Sequence, residues 1–286
     1  MYLPYRRATQ FLVFGLMFVV PVLNIFEIYV ITGTFYAINF GGLGVADPSV
    51  ILQAIFAAGE ITVPLMTAAI FPLLVAILLG RFWCGWLCPY LFVSEGIDWL
   101  RNKLCLILFR RPPKSSATIE KAFSANLTRF SFLICGTALA GAVGIPVLNY
   151  INAPAIMSAE AMIIVKERAV SLEFWFVVIL LVLQLSFLPK IWCRVLCPTG
   201  SIISLFRTSV TMKVISKSRP QTTPCCKERS CLSACPMGLA PYREAGNLLC
   251  VNCGKCIDSC RFNRLQFTGF QIDDAAPVIP RQQSDS

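Results

Sequence analysis

Cys250-Val-Asn-Cys253-Gly-Lys-Cys256-Ile-Asp-Ser-Cys260 spaces its thiols by two, two and three residues. That is the bacterial ferredoxin run, in which three thiolates hold one 4Fe–4S cluster and the fourth reaches a neighbouring cluster. The neighbour's ligands lie just upstream, in Cys225-Cys226-Lys-Glu-Arg-Ser-Cys231-Leu-Ser-Ala-Cys235-Pro236. Glu228 stands where the second ligand of this run is expected, and Cys226 replaces it. The expected ligand sets are Cys225, Cys226, Cys231 and Cys260 for cluster one, and Cys250, Cys253, Cys256 and Cys235 for cluster two. Zinc and disulfides are the alternatives for such cysteines. The interlocked runs and the Cys-Pro step favour iron and sulfur, and a reducing cytoplasm disfavours disulfides.

The composition separates this region from the rest. Of 286 residues, 56% are hydrophobic and 14% charged, which is too apolar for a water-soluble domain. The net charge of +10 lies in short loops beside apolar runs, so it reads as membrane orientation and not as a nucleic-acid surface. The chain has no histidine, which excludes bis-histidine haem b and Cys-x-x-Cys-His haem c.

The expected fold is an all-α membrane domain over 1–215 with four transmembrane helices, a cytoplasmic ferredoxin-like domain with two 4Fe–4S clusters over 216–270, and a polar, mobile tail over 271–286. The apolar runs fall at about 11–31, 61–83, 127–150 and 172–188. The first follows Arg6-Arg7 and reads as a retained anchor, being longer than a signal-peptide core. Segments 33–59, with room for one helix lying on the surface, and 152–173 read as external loops, and 91–109 as an interfacial helix. Lys and Arg concentrate between the second and third runs and after the fourth, which predicts both termini in the cytoplasm of a bacterial inner-membrane protein.

A repeat runs through the apolar part. Gly80-Arg-Phe-Trp83-Cys84-Gly-Trp-Leu-Cys88-Pro89 matches Pro189-Lys-Ile-Trp192-Cys193-Arg-Val-Leu-Cys197-Pro198, and each copy ends an apolar run at the inner face. If helical, each pair sets both sulfurs on one side. Cysteine also packs as a small apolar residue and Trp marks membrane interfaces, but two matched copies favour a shared function. A third iron–sulfur site, redox thiols and contacts to a quinone head group all remain open for Cys84, Cys88, Cys193 and Cys197. Cys105 and Cys135 have no such pattern and read as packing.

These features together resemble the membrane ferredoxin-type proteins of the NapH kind, the quinol dehydrogenase membrane component of periplasmic nitrate reductase systems, with NosR and CcoG as relatives. The likeness rests on the basic amino end, the four apolar runs, the two Cys-x3-Cys-Pro elements and the paired ferredoxin motifs. Glu228, and Arg261 where a proline is common after Cys260, depart from it. The resemblance implies an iron–sulfur membrane subunit that takes electrons from quinol, its substrate, and delivers them to an iron–sulfur or cytochrome partner of a terminal, nitrate reductase-like reductase. A CcoG-like assembly factor for a metalloenzyme, and an anchor whose clusters only stiffen the domain, are the competing readings. Catalytic residues, quinone type and terminal acceptor are not legible at this level.

Overall fold

The computed structural model describes residues 2–27, 31–41, 43–109, 125–186, 190–216, 230–241, 246–260 and 264–268. Its first helix, α1 (Tyr2–Ile25), buries one stripe of Arg6, Gln10, Val13, Met17 and Pro21. The other faces expose Phe11, Leu12, Val19 and Val22. Arginine and glutamine inward with Phe and Leu outward inverts the pattern of a water-facing helix, as a lipid-facing helix requires.

A three-stranded antiparallel meander follows: β1 (Ile31–Thr34), β2 (Ala37–Phe40) and β3 (Leu43–Ala46). Its first turn needs Gly33, which sits at φ +101°, where a Cβ would lie 2.1 Å from the Ala37 carbonyl oxygen. Asp47 then caps α2 (Pro48–Ala58) by accepting from the Ser49 N–H, and Pro48 opens the first turn, where no N–H is needed. Helix α3 (Val63–Leu79) returns to α4 (Phe82–Trp86) and α5 (Pro89–Phe109).

The second half repeats this order. It runs through α6 (Ala125–Val143), a turn α7 (Val147–Tyr150), α8 (Ala153–Glu167) with Asn152 as N-cap and Pro154 in its first turn, and α9 (Leu172–Ser186). A π-helical turn at Trp192–Leu196 and α10 (Pro198–Leu205) close it. The halves pack reciprocally: α1 on α8 and α6 on α2, α5 on α9 and α10 on α3, α5 on α8 and α10 on α2. Such exchange is what a pseudo-two-fold arrangement of a duplicated unit produces.

Among the described residues, α1 and residues 126–143 of α6 are long and apolar enough to cross a membrane. Helices α3 and α9 are apolar but have 17 and 15 residues, below the ~20 residues of a typical crossing. The segments expected as external loops are instead built into the protein. Asp47 and Asn152, the caps of α2 and α8, meet at the Thr199 hydroxyl, which donates to Asp47 and lies 3.1 Å from Asn152 Nδ2. Sequence reading missed this because helix N-caps carry the same residues as surface turns.

The carboxyl-terminal region is tied down by β4 (Val214–Ser216) and β5 (Leu265–Phe267), paired antiparallel, so its entry and exit lie side by side. It docks on the first half. Trp86 Nε1 donates to the Asn252 carbonyl at 3.1 Å, and a Cβ on Gly85 would lie 2.2 Å from the Val251 carbonyl oxygen. Asp258 accepts from the N–H groups of Tyr2 and Leu3 at the start of α1.

Candidate iron–sulfur site

Each repeated motif ends in a helix N-terminus. Pro89 and Pro198 begin α5 and α10, and the next free N–H groups point back at sulfur: Tyr90 and Leu91 to Cys88, Gly200 to Cys197 at 3.4 Å. A cysteine before an N1 proline therefore takes the capping position that Ser or Asp usually fills, and the helix end stabilises its thiolate.

Packing of the two halves brings Cys84, Cys88, Cys193 and Cys197 around one cavity of about 300 Å³, with Arg81, Tyr90, Trp192, Met237 and Val251 also on its wall. Cys105 and Cys135 do not line it. Burial pushes the free thiols of Cys88 and Cys197 up to about 11 and about 12. Thiols so raised are poor nucleophiles, which weakens the redox-thiol reading, whereas bound iron offsets the thiolate charge directly.

The surroundings ask for an anion. Arg81, Arg129, Arg194 and Arg207 have no carboxylate partner among the described residues, whose ion pairs join Arg6, Arg7 and Lys255 to Glu95 and Lys190 to Asp98. Arg81 Nε and Trp192 Nε1, both from the cavity wall, are buried donors with no acceptor among the described residues. A 4Fe–4S cluster on four thiolates carries net negative charge and acceptor sulfurs, so this donor set fits it. No three His, Cys, Asp or Glu side chains among the described residues are grouped to hold a single ion. A four-iron cubane spreads its ligands round a cavity instead of converging them on one point.

A second cavity, about 480 Å³, is lined by Cys235, Cys250, Cys253 and Cys256. N–H groups of Met237 and Leu239 face Cys235, and that of Lys255 faces Cys253. Met237 and Val251 stand on the walls of both cavities, so one layer of side chains separates them. Cys231, Cys256 and Cys260 pack together with Val214 and Leu265, and the Arg264 N–H donates to Cys260 Sγ at 3.4 Å. Cys225 and Cys226, expected with Cys231 and Cys260, lie outside the described residues.

Sequence reading passed over Arg81 as the end of an apolar run. Its side chain donates to the carbonyls of Cys193 and Leu248, both at 3.3 Å, so it spans from the four-cysteine cavity to the loop before Cys250. The available signal was the repeat itself, which sets a basic residue, Arg81 or Lys190, two positions before each motif's Trp.

A family model described as a 4Fe–4S binding domain matches residues 61–106 and 169–212, and each match contains one Cys-x3-Cys-Pro. The chain is 26% identical to the ferredoxin-type protein NapH of Escherichia coli, over 89% of this chain and 85% of that one. It is 29% identical to the methylamine utilization ferredoxin-type protein MauN of Paracoccus denitrificans, over 68% of this chain and 62% of that one. An uncharacterized protein of Methanocaldococcus jannaschii is 24% identical over 75% of each chain. These relatives bear out the ferredoxin-type resemblance, and the matched domain is one that binds 4Fe–4S clusters. No solved structure matches the chain.

Proposed function

We propose that this protein is an inner-membrane iron–sulfur subunit with four crossings and cytoplasmic termini, passing electrons from the quinol pool to a redox partner of a terminal reductase. Each quinol gives up two electrons and two protons on becoming quinone, and the clusters accept the electrons singly. The ferredoxin cysteines hold two 4Fe–4S clusters in the sets given above, and Cys84, Cys88, Cys193 and Cys197 hold a third. The observation that carries this reading is that a four-cysteine cavity, one pair from each half, lies a single side-chain layer from a second cysteine-lined cavity. So short a step suits electron tunnelling between clusters, and the NapH relative supports a place beside a membrane redox chain.

Anaerobically purified protein should contain about twelve iron atoms from three four-iron clusters. A Cys84→Ala or Cys193→Ala protein should fold, keep about eight, and lose cluster reduction by a quinol analogue, followed by EPR. Zinc in place of iron would overturn the cluster assignment. Full quinol-driven reduction in a variant with all four membrane cysteines changed to alanine would remove the third site from the electron path.

A further inference from the structure

Two apolar cavities lie beside the meander that carries Tyr36. The first, about 520 Å³, is enclosed by the meander, α3 and α10, with Phe35, Tyr36, Ile38, Asp47, Trp83 and Thr199 on its wall. The second, about 710 Å³, lies between α1, α8 and the meander. Phe35 and Ile38 belong to both walls, so the two spaces adjoin. Phe35 stacks on Trp83 at 5.4 Å, and the Tyr36 hydroxyl reaches Cys88 Sγ at 3.7 Å.

The chemistry of the walls selects an occupant. The first cavity has aromatic faces and Asp47 as the one charged side chain on its described wall. It offers no lysine or arginine to a phosphate, so a phospholipid head group would meet only a carboxylate. A ring bearing a hydroxyl can stack on the aromatic faces and donate to Asp47; its Oδ2 already accepts from Ser49 Oγ at 2.8 Å and from Thr199, and the 3.4 Å contact to Asn152 Nδ2 is the one long enough to be replaced. The second cavity is a groove beside two helices for a long apolar chain.

We infer that the paired cavities bind an isoprenoid quinol, ring beside Tyr36 and Asp47, and tail between α1 and α8. This rests on the quinol reading above and locates its site. Tyr36 is then the contact between ring and iron–sulfur site, through Cys88, and Ile38 guards the passage from ring to tail.

The test is photolabelling of the anaerobic, detergent-purified holoprotein with an azido-quinone, with labelled peptides mapped by mass spectrometry. Label should fall in 31–47 and 72–83 and be displaced by unlabelled quinone but not by phospholipid. An Ile38→Trp protein, which fills the passage, should keep its iron and lose the label. Label mapped elsewhere while quinol still reduces the clusters would overturn the site and leave the electron-transfer reading standing. No specific label and no reduction by quinol would overturn both. Displacement by phospholipid would make the cavities a lipid site. The wild-type map decides the question even if Ile38→Trp fails to fold.

Discussion

Arg81 is 3% exposed, has no carboxylate partner among the described residues, and touches backbone at the four-cysteine cavity and in the loop that leads to Cys250. A fixed positive charge stabilises the reduced state of a nearby cluster, so Arg81→Gln should lower the midpoint potentials of the membrane site and cluster two. The shift should be on the order of 100 mV, read by EPR-monitored redox titration, because a charge a few ångströms away at an effective dielectric of about 20 is worth about 2 kcal/mol or more. A variant that only loosened packing would lower the melting temperature and leave potentials in place. Glu95 is the counterpart on the docking side, 2.7 Å from Arg6 and 3.1 Å from both Arg7 and Lys255. Burial alone would raise its carboxyl, but Arg6 and Lys255 outweigh burial and hold it at about 2, below the ordinary 4.5. Burial depresses Lys255 in turn, although Glu95 beside it acts the other way. A depressed folded pKa gives stability that is complete above about pH 4.5 and disappears as pH falls toward 2. Glu95→Gln should therefore cost about 3 kcal/mol at neutral pH, and the gap in melting temperature should narrow below pH 4.5.

Helix α4 is one turn long, yet it carries Cys84 on one side and the ferredoxin region on the other. Gly85 makes this possible: its carbonyl accepts from Arg6 Nε at 2.7 Å, and its missing side chain lets the Val251 carbonyl approach. Gly85→Val must separate α4 from the 248–253 loop, since a side chain and a carbonyl cannot share that space. The expected result is a protein that inserts and binds iron but shows faster proteolysis around the carboxyl-terminal region and weaker magnetic coupling between clusters. Unchanged proteolysis and coupling would mean that the contact does not hold the docking. Helices α2 and α8 are the other decisive elements, because their caps, Asp47 and Asn152, join at Thr199 and thereby position Cys197-Pro198 against the first half.

Across the whole molecule, the reciprocal packing of the halves sets the topology test. The Arg168–Ser171 turn joins α8 to α9 at the end opposite the cysteines, so a reporter inserted at 168–170 should be external, while one fused after 268 should be cytoplasmic. The opposite pattern would overturn the proposed orientation. By itself the sequence determined the ferredoxin runs, the two Cys-x3-Cys-Pro copies, the apolar character and the absence of histidine, because these are matters of spacing and composition, written along the chain. Only the tertiary structure decided that the two copies face one cavity, that Arg81 ties that cavity to the loop before Cys250, and that the segments around Asp47 and Asn152 turn inward. Residues such as Cys84 and Cys197 are joined by contacts between halves more than a hundred positions apart, and a cap satisfied by Thr199 looks in sequence like any turn in water. Local propensity fixes where a helix starts; only the packing of one half on the other fixes what that start is aimed at.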